Sequence, residues 1–309
     1  MFDLSKSKVQ RIHPSFVNNT SKKLFIKRDD LIDPLVSGNK WRKLKLNIAF
    51  AYEKKLSGIL TFGGAYSNHL LASASVCNSM GMKSVGLVRG NELDAESNLL
   101  LSKCQALGME LHFVSRQDYD LKTDETFLGD LHARFPNMHI VPEGGANYYG
   151  IIGCQEILSE CEGSFDRVFV AQGTSTTSCG IASVLPDQAV LEVVPVIKGY
   201  DSLNEMRILL NRSGFDQEWT SEILSHVHVL NDFHFGGYGK FTSELLDFME
   251  QFYLETNVPL DPIYTGKAMY ALMTHCRNNP AQAENILFIH TGGIEGGRNI
   301  ALQTQKKFC

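Results

Sequence analysis

Short apolar runs alternate with amphipathic segments along most of the chain, the pattern of a sheet covered by helices. The first long helix is expected from Asn39 to about Leu56, with Trp41, Leu44, Ile48 and Tyr52 at helical spacing and Gly58 as the stop. GILTF (58–62) then reads as a strand, GGAYS as a turn, and Asn68 to Met80 as a helix closed by Gly81. KSVGLV (83–88) is the next buried strand. The unit repeats: a helix ending at Leu107 before Gly108, a strand at ELHFVS (110–115), a helix over about 124–135 and a strand at HIVPEG (139–144). A helix from Asn147 leads to RVFVAQG (167–173). Further strands are expected at AVLEVVPVIK (189–198), HVHVLN (226–231) and ILFIHTG (286–292), with helices between them, one around 242–256.

Parallel strands need such crossovers, so the fold class is α/β. At 309 residues the chain is long enough for two modest α/β domains. No linker rich in Gly, Pro and Ser marks a boundary, and no solenoid-type repeat is visible. The expected division is a smaller unit at 47–147 inserted into a larger one built from 1–46 and 148–309.

Composition narrows the function classes. The hydrophobic fraction is 43% and the charged fraction 20%, within the ordinary globular range. The net charge is −5 and no long run of Lys and Arg occurs, which argues against a nucleic-acid surface. The opening MFDLSKSKVQ has no apolar stretch of signal-peptide length, and no apolar run reaches membrane-spanning length. The seven cysteines are scattered without a C-x-x-C pair, so reduced thiols and a cytoplasmic location are expected; Cys309 ends the sequence and is expected exposed. The histidines show no metal-ligand spacing.

Three loops carry candidate chemistry. In SGNKWRKL (37–44), Lys40 and Lys43 are three apart and share a helix face. That spacing suits a ligand with an aldehyde at one end and a phosphate at the other: one amine condenses with the aldehyde while the second approaches the phosphate. Taken alone, the same residues, with Arg42 and Lys45, also read as a solvated basic face. FGGAYSNHLL (62–71) follows a strand and opens a helix, with Ser67 as N-cap and the positive helix end behind it, a place for a carboxylate. AQGTSTTSCGI (171–181) is again strand, loop, helix, with Thr174, Ser175, Thr176 and Thr177 following Gly173. Small side chains there let backbone amides close around phosphate oxygens. Neither G-x-x-x-x-G-K-[ST] nor G-x-G-x-x-G is present.

The ordered set GNKWRKL, GGAYSNH, GTSTTSCG, DPIYTGK and HTGG resembles the D-cysteine desulfhydrase and 1-aminocyclopropane-1-carboxylate deaminase family, from about Lys23 to Gly293. The resemblance implies a two-domain tryptophan synthase β-like fold (fold type II), each domain a mostly parallel sheet covered by helices, with pyridoxal 5′-phosphate in the cleft between them. It implies that Lys40 carries the cofactor, that Lys43 and Thr174–Thr177 hold its phosphate, that Asn68 bonds its phenolic oxygen and that Thr291 faces its pyridine nitrogen. A homodimer is also implied.

The substrate is expected to be a small amino acid, held by Ser67, Asn68, His69, Tyr238 and Tyr264. Lys40 is the first candidate base, with Ser67 or Tyr264 acting on the opposite face. Deaminases of this family resemble one another in a Glu directly after the Tyr of DPxY and a Leu in the HxGG strand; this chain has Thr265 and Thr291. The expected reaction is therefore β-elimination from D-cysteine, giving pyruvate, ammonia and sulfide. The alternatives are 1-aminocyclopropane-1-carboxylate deamination, elimination from another D-amino acid such as D-serine or chloroalanine, or a non-catalytic pyridoxal-phosphate carrier. Two segments depart from the family pattern: LLASAS after SNH, and the hydroxyl-rich cup in place of a Gly-rich one.

Overall fold

The computed structural model describes residues 3–17, 21–294, 301, 304 and 306–308. In chain order its first elements are β1 (Val9–Ile12), β2 (Lys23–Lys27), α1 (Asn39–Glu53), β3 (Gly58–Gly64), α2 (Asn68–Met80) and β4 (Lys83–Arg89). There follow α3 (Leu99–Ala106), β5 (Met109–Val114), α4 (Arg116–Asp120), α5 (Glu125–Arg134), β6 (Met138–Val141) and α6 (Tyr148–Ser159). The chain continues through β7 (Arg167–Gln172), α7 (Thr176–Ala182), β8 (Val190–Pro195), α8 (Ser202–Arg212), α9 (Gln217–Ser225) and β9 (Val227–Val229). It closes with α10 (Ser243–Thr256), α11 (Thr265–Asn278) and β10 (Asn285–Ile289).

The chain divides into one unit of Met1–Asn39 with Cys154–Cys309 and a second of Lys40–Gly153. The divisions fall within helices, at the start of α1 and inside α6, whereas the sequence reading puts them at 47 and 147.

The second unit holds a four-stranded parallel sheet in the order β5-β4-β3-β6. Leu60, Phe62, Val85, Leu87 and Leu131 form its core with Tyr119. Because β3 and β6 are parallel neighbours, the GGAYS turn and residues 142–146 emerge at the same sheet edge. That edge, beyond the carboxyl ends of parallel strands, is where ligands bind in open α/β sheets.

The first unit holds six strands in the order β1-β2-β10-β7-β8-β9, parallel except for β1. Ile26, Phe169, Phe288, Met249, Phe252 and Met269 are fully buried in its core. The loops after β2, β10, β7, β8 and β9 therefore leave together at one edge. They carry Ser37–Asn39, His290–Gly293, Gly173–Ser175, Tyr200 and Tyr238 respectively.

The two N-terminal strands and α4 were not expected from the pattern. VQRI in β1 is an edge strand with two exposed members, and β2 is flanked by lysines. Lys27 is nonetheless buried, its Nζ 2.9 Å from Glu160 Oε2 and donating to Ser7 O. A hydropathy pattern counts that position as outward-facing; a tertiary ion pair turned it inward.

No helix among the described residues is long and apolar enough to cross a membrane. Burial pushes the Cys77, Cys104 and Cys276 thiols up to about 12, which suits packing and not nucleophilic chemistry. Cys309 lies outside the described residues.

Candidate active site

In the first unit the start of α1 is pinned by main chain and side chain. Gly38 sits at φ +64°, and a Cβ there would lie 2.1 Å from Thr291 O, so only glycine permits this approach. Asn39 N donates to Thr291 O (3.3 Å) and its Nδ2 donates to Thr177 Oγ1 (2.8 Å). The residue before Lys40 is thus tied both to the strand-end loop carrying Thr291 and to α7.

The Gly173–Ser175 loop is built to hold an unusual conformation. Ser175 has φ +62°, a left-handed geometry costing roughly 1 kcal/mol or more for a residue with a Cβ. Gln172 Nε2 donates to its Oγ (2.6 Å), and Tyr200 OH lies 3.1 Å from the same oxygen. No side chain caps the first turn of α7. Thr176 N donates to Thr174 O, leaving the next amides of the turn without helical acceptors.

Tyr264 is positioned from below by the buried Asp261. Asp261 Oδ1 accepts from the Ile263 and Tyr264 amides, and its Oδ2 accepts from Thr265 N and Thr265 Oγ1 (2.7 Å). Thr265 Oγ1 also accepts from Asp261 N, so this fully buried side chain closes the cap of α11 instead of facing a ligand. The Tyr264 ring covers Gly173, where a Cβ would be 3.2 Å from Cε1. Tyr238, half exposed, meets Tyr264 edge-on with centroids 6.1 Å apart. His290 donates from Nε2 to Pro259 O and accepts from Gly292 N at Nδ1, linking the end of β10 to the segment that leads into Asp261.

In the second unit Lys40 is half-buried and Lys43 buried, on the first turns of α1. Ser67 is the N-cap of α2, its Oγ accepting from Leu70 N at 3.4 Å, and Asn68 opens the helix, half-buried.

His69 is buried, and its polarity differs from what the sequence reading asked of it. Thr61 Oγ1 donates to Val141 O (2.8 Å), so its contact with His69 Nε2 (3.0 Å) requires the imidazole to carry its proton on Nε2. His69 Nδ1 is then a lone pair, buried without a partner. Burial, then the positive charges of Lys43 and Lys40, push its pKa down to about 3. A neutral acceptor cannot clamp a carboxylate, and His69 Nδ1 offers its lone pair to a donor instead.

Sequence reasoning singled out Lys40, Lys43, Ser67, Asn68 and His69, which lie at strand-end or helix-start positions of the second unit, although Lys40 and Lys43 were expected in the larger one. It placed Thr174–Thr177, Tyr238, Tyr264 and Thr291 at those of the first. It missed Gln172, Tyr200, Thr61 and His290, whose roles rest on partners far along the chain. Asn39 is expected only as the start of the first long helix.

Residues 11–292 match the family model described as pyridoxal-phosphate dependent enzyme. A Pyrococcus horikoshii protein provisionally described as 1-aminocyclopropane-1-carboxylate deaminase is 30% identical over 92% of this chain and 88% of its own. An Arabidopsis thaliana protein described as bifunctional D-cysteine desulfhydrase/1-aminocyclopropane-1-carboxylate deaminase, mitochondrial, is 30% identical over 92% of this chain and 75% of its own. The crystal structure of an ACC deaminase homologue superposes with a TM-score of 0.79 at 26% identity, covering 97% of this chain and 92% of that one.

The first unit's loops fit the phosphate of such a cofactor. Ser178 Oγ, a hydroxyl able to donate, is buried without a partner beside the first turn of α7, whose N-cap Ser175 makes no side-chain cap bond, in a loop whose hydroxyls and amides are donors. With its fold, its matched span and its relatives in agreement, the chain belongs to the pyridoxal-phosphate dependent enzymes, among the homologues of 1-aminocyclopropane-1-carboxylate deaminase and D-cysteine desulfhydrase.

Proposed function

We propose that this enzyme eliminates the β-substituent of a small D-amino acid, with D-cysteine as the substrate: D-cysteine and water give pyruvate, ammonia and hydrogen sulfide. Bound pyridoxal phosphate supplies an electron sink for charge developing at the substrate's α-carbon. Lys40 is the residue that would hold the cofactor, and its amine would serve as the base at the substrate's α-carbon. The cofactor's phosphate would be held by the amides of the α7 first turn and the Thr174–Thr177 hydroxyls, and Lys43 is assigned to the same group. Asn39, fastened to Thr177 and Thr291, fixes where the main chain delivers Lys40.

Ser67 and Asn68, at the positive end of α2, orient the substrate carboxylate. Asn68 would also hold the cofactor's phenolic oxygen. Tyr264 is assigned as the second proton-handling group, and Tyr238, edge-on against it, as a substrate-binding residue. Thr291, a neutral hydroxyl, is assigned to the pyridine nitrogen.

The observation that carries the choice of substrate is position 265. The ring-opening deaminases resemble one another in a carboxylate there, whereas here Thr265 is fully buried and spent on Asp261. Deamination of 1-aminocyclopropane-1-carboxylate is the second reading, favoured by the names of the relatives at 30% identity.

The test has two parts. Lys40→Ala should abolish both the visible band of cofactor-loaded protein and its trapping by borohydride; a reducible adduct in that variant would refute the anchor. Pyruvate and sulfide release from D-cysteine is then compared with 2-oxobutanoate release from 1-aminocyclopropane-1-carboxylate. Higher kcat/KM for the cyclopropane would overturn the substrate.

A further inference from the structure

Lys267 is a charged side chain in an expensive place. It lies in the first turn of α11, where the helix dipole disfavours a cation, and it is fully buried. Burial pulls its pKa down to about 8 against the attraction of Asp261. Its Nζ donates to two main-chain carbonyls, His234 O (2.8 Å) and Gly237 O (2.9 Å).

Those carbonyls belong to a loop that does not specify itself. Phe235, Gly236, Gly237 and Gly239 have φ of +50°, +94°, +114° and +70°, conformations that an unrestrained chain leaves readily. Within the loop Gly237 N donates to His234 O, Lys240 N to Gly237 O and Gly236 N to His234 Nδ1, and the Phe235 ring packs edge-on against Tyr270 with centroids 5.1 Å apart. At its tip stands Tyr238, edge-on against Tyr264, whose ring covers Gly173. Tyr264 and Lys267 are three apart, so the start of α11 holds the aromatic with one residue and the loop opposite it with another.

We propose that Lys267 is a positioning residue for substrate binding. Through the His234 and Gly237 carbonyls it sets the 234–240 loop, and so holds Tyr238 against Tyr264. The role assigned to Tyr238 and Tyr264 rests on the function proposed above; the clamp on the loop does not.

Lys267→Met keeps the aliphatic stem and removes the ammonium. In substrate-free protein, amide exchange at 235–240 should quicken by about tenfold or more, while the rest of α11 and β10 keep their protection. In the loaded enzyme KM should rise ~10-fold with kcat changed less than ~3-fold and the cofactor spectrum unaltered. Unchanged loop exchange, or loss of protection spreading through α11 and β10, would overturn the clamp, whether or not Lys40 carries the cofactor. A fall in kcat at constant KM would overturn the substrate-binding role. Tyr238→Ala, an exposed change that does not touch the buried amine, should reproduce the KM rise; a wild-type KM in that variant would also overturn it.

Discussion

The most direct check on the second unit's site is its response to acid. His69, on the first turn of α2, is held neutral with its pKa at about 3, against 6.5 when exposed. His139 is pushed down to about 4, first by burial and then by the charge of His132, while its Nε2 donates to Asn47 Oδ1. In the unfolded chain both take up a proton as the pH falls through 6.5; in the folded chain they do not. The unfolded state therefore binds more protons, and stability is fully present above 6.5 and lost as the pH falls towards the folded values. Between about pH 7 and about pH 5 each histidine costs about 2 kcal/mol, so the pair costs about 4 kcal/mol. His69→Gln keeps a donor for Thr61 Oγ1 and removes the titration. Urea unfolding followed by circular dichroism at the two pH values should show the variant losing about 2 kcal/mol less than the wild type. Equal losses would mean that His69 is not held neutral, and the tautomer assigned from Thr61 and Val141 would fall with it.

A second acid-sensitive group lies at the opposite edge of the six-stranded sheet. Burial pushes the Glu284 carboxyl up, but contacts with Lys22, His275 and Arg167 overcome this and hold it at about 2. A depressed carboxylate contributes stability that is complete above about 4.5 and vanishes as the pH falls through the folded value; the shift corresponds to about 3 kcal/mol. Glu284→Gln should lower stability at neutral pH by about that amount and flatten the acid limb below 4.5, read by chemical denaturation; an unchanged acid limb would refute the assignment. Gly38→Ala should cost more than ~2 kcal/mol and reduce cofactor retention, because the Cβ meets Thr291 O at 2.1 Å. Gly81→Ala, at φ +65° with open space around it, is the control and should cost only about 1 kcal/mol, measured by the same denaturation.

The parts of the fold legible in the sequence were those with local causes. The helix at 68–80 was readable because Ser67 caps it and Gly81 ends it in a left-handed turn, and the structure has both. The parallel strands β3, β4 and β7 were readable as short apolar runs. What escaped were elements whose cause is distant. The β2 strand reads as polar until Lys27 is seen to meet Glu160, 133 residues away, and α4 is a five-residue helix too short to show a period. The unit boundaries fall within helices, at the start of α1 and inside α6, so no loop between elements marks them.

The candidate site follows the same division. A strand end followed by Gly, Ser or Thr and a helix start is a local signature, so the loops at 37–44, 62–71 and 171–181 could be singled out from residues alone. Their physical content could not. Whether His69 gives or takes a hydrogen bond depends on Thr61, whose proton depends in turn on Val141 O, 80 residues further on. Thr265 looks like a substrate-facing position by its place after Tyr264, yet Asp261 draws it inward. Asn39 looks like a helix-opening residue, yet it bonds a threonine 138 positions later. In each case the residue type was visible and its direction was set by a partner elsewhere. A motif therefore identifies where chemistry can occur on this fold, while the long-range hydrogen bonds decide which side chain faces a ligand, and position 265 is where that difference bears on the substrate.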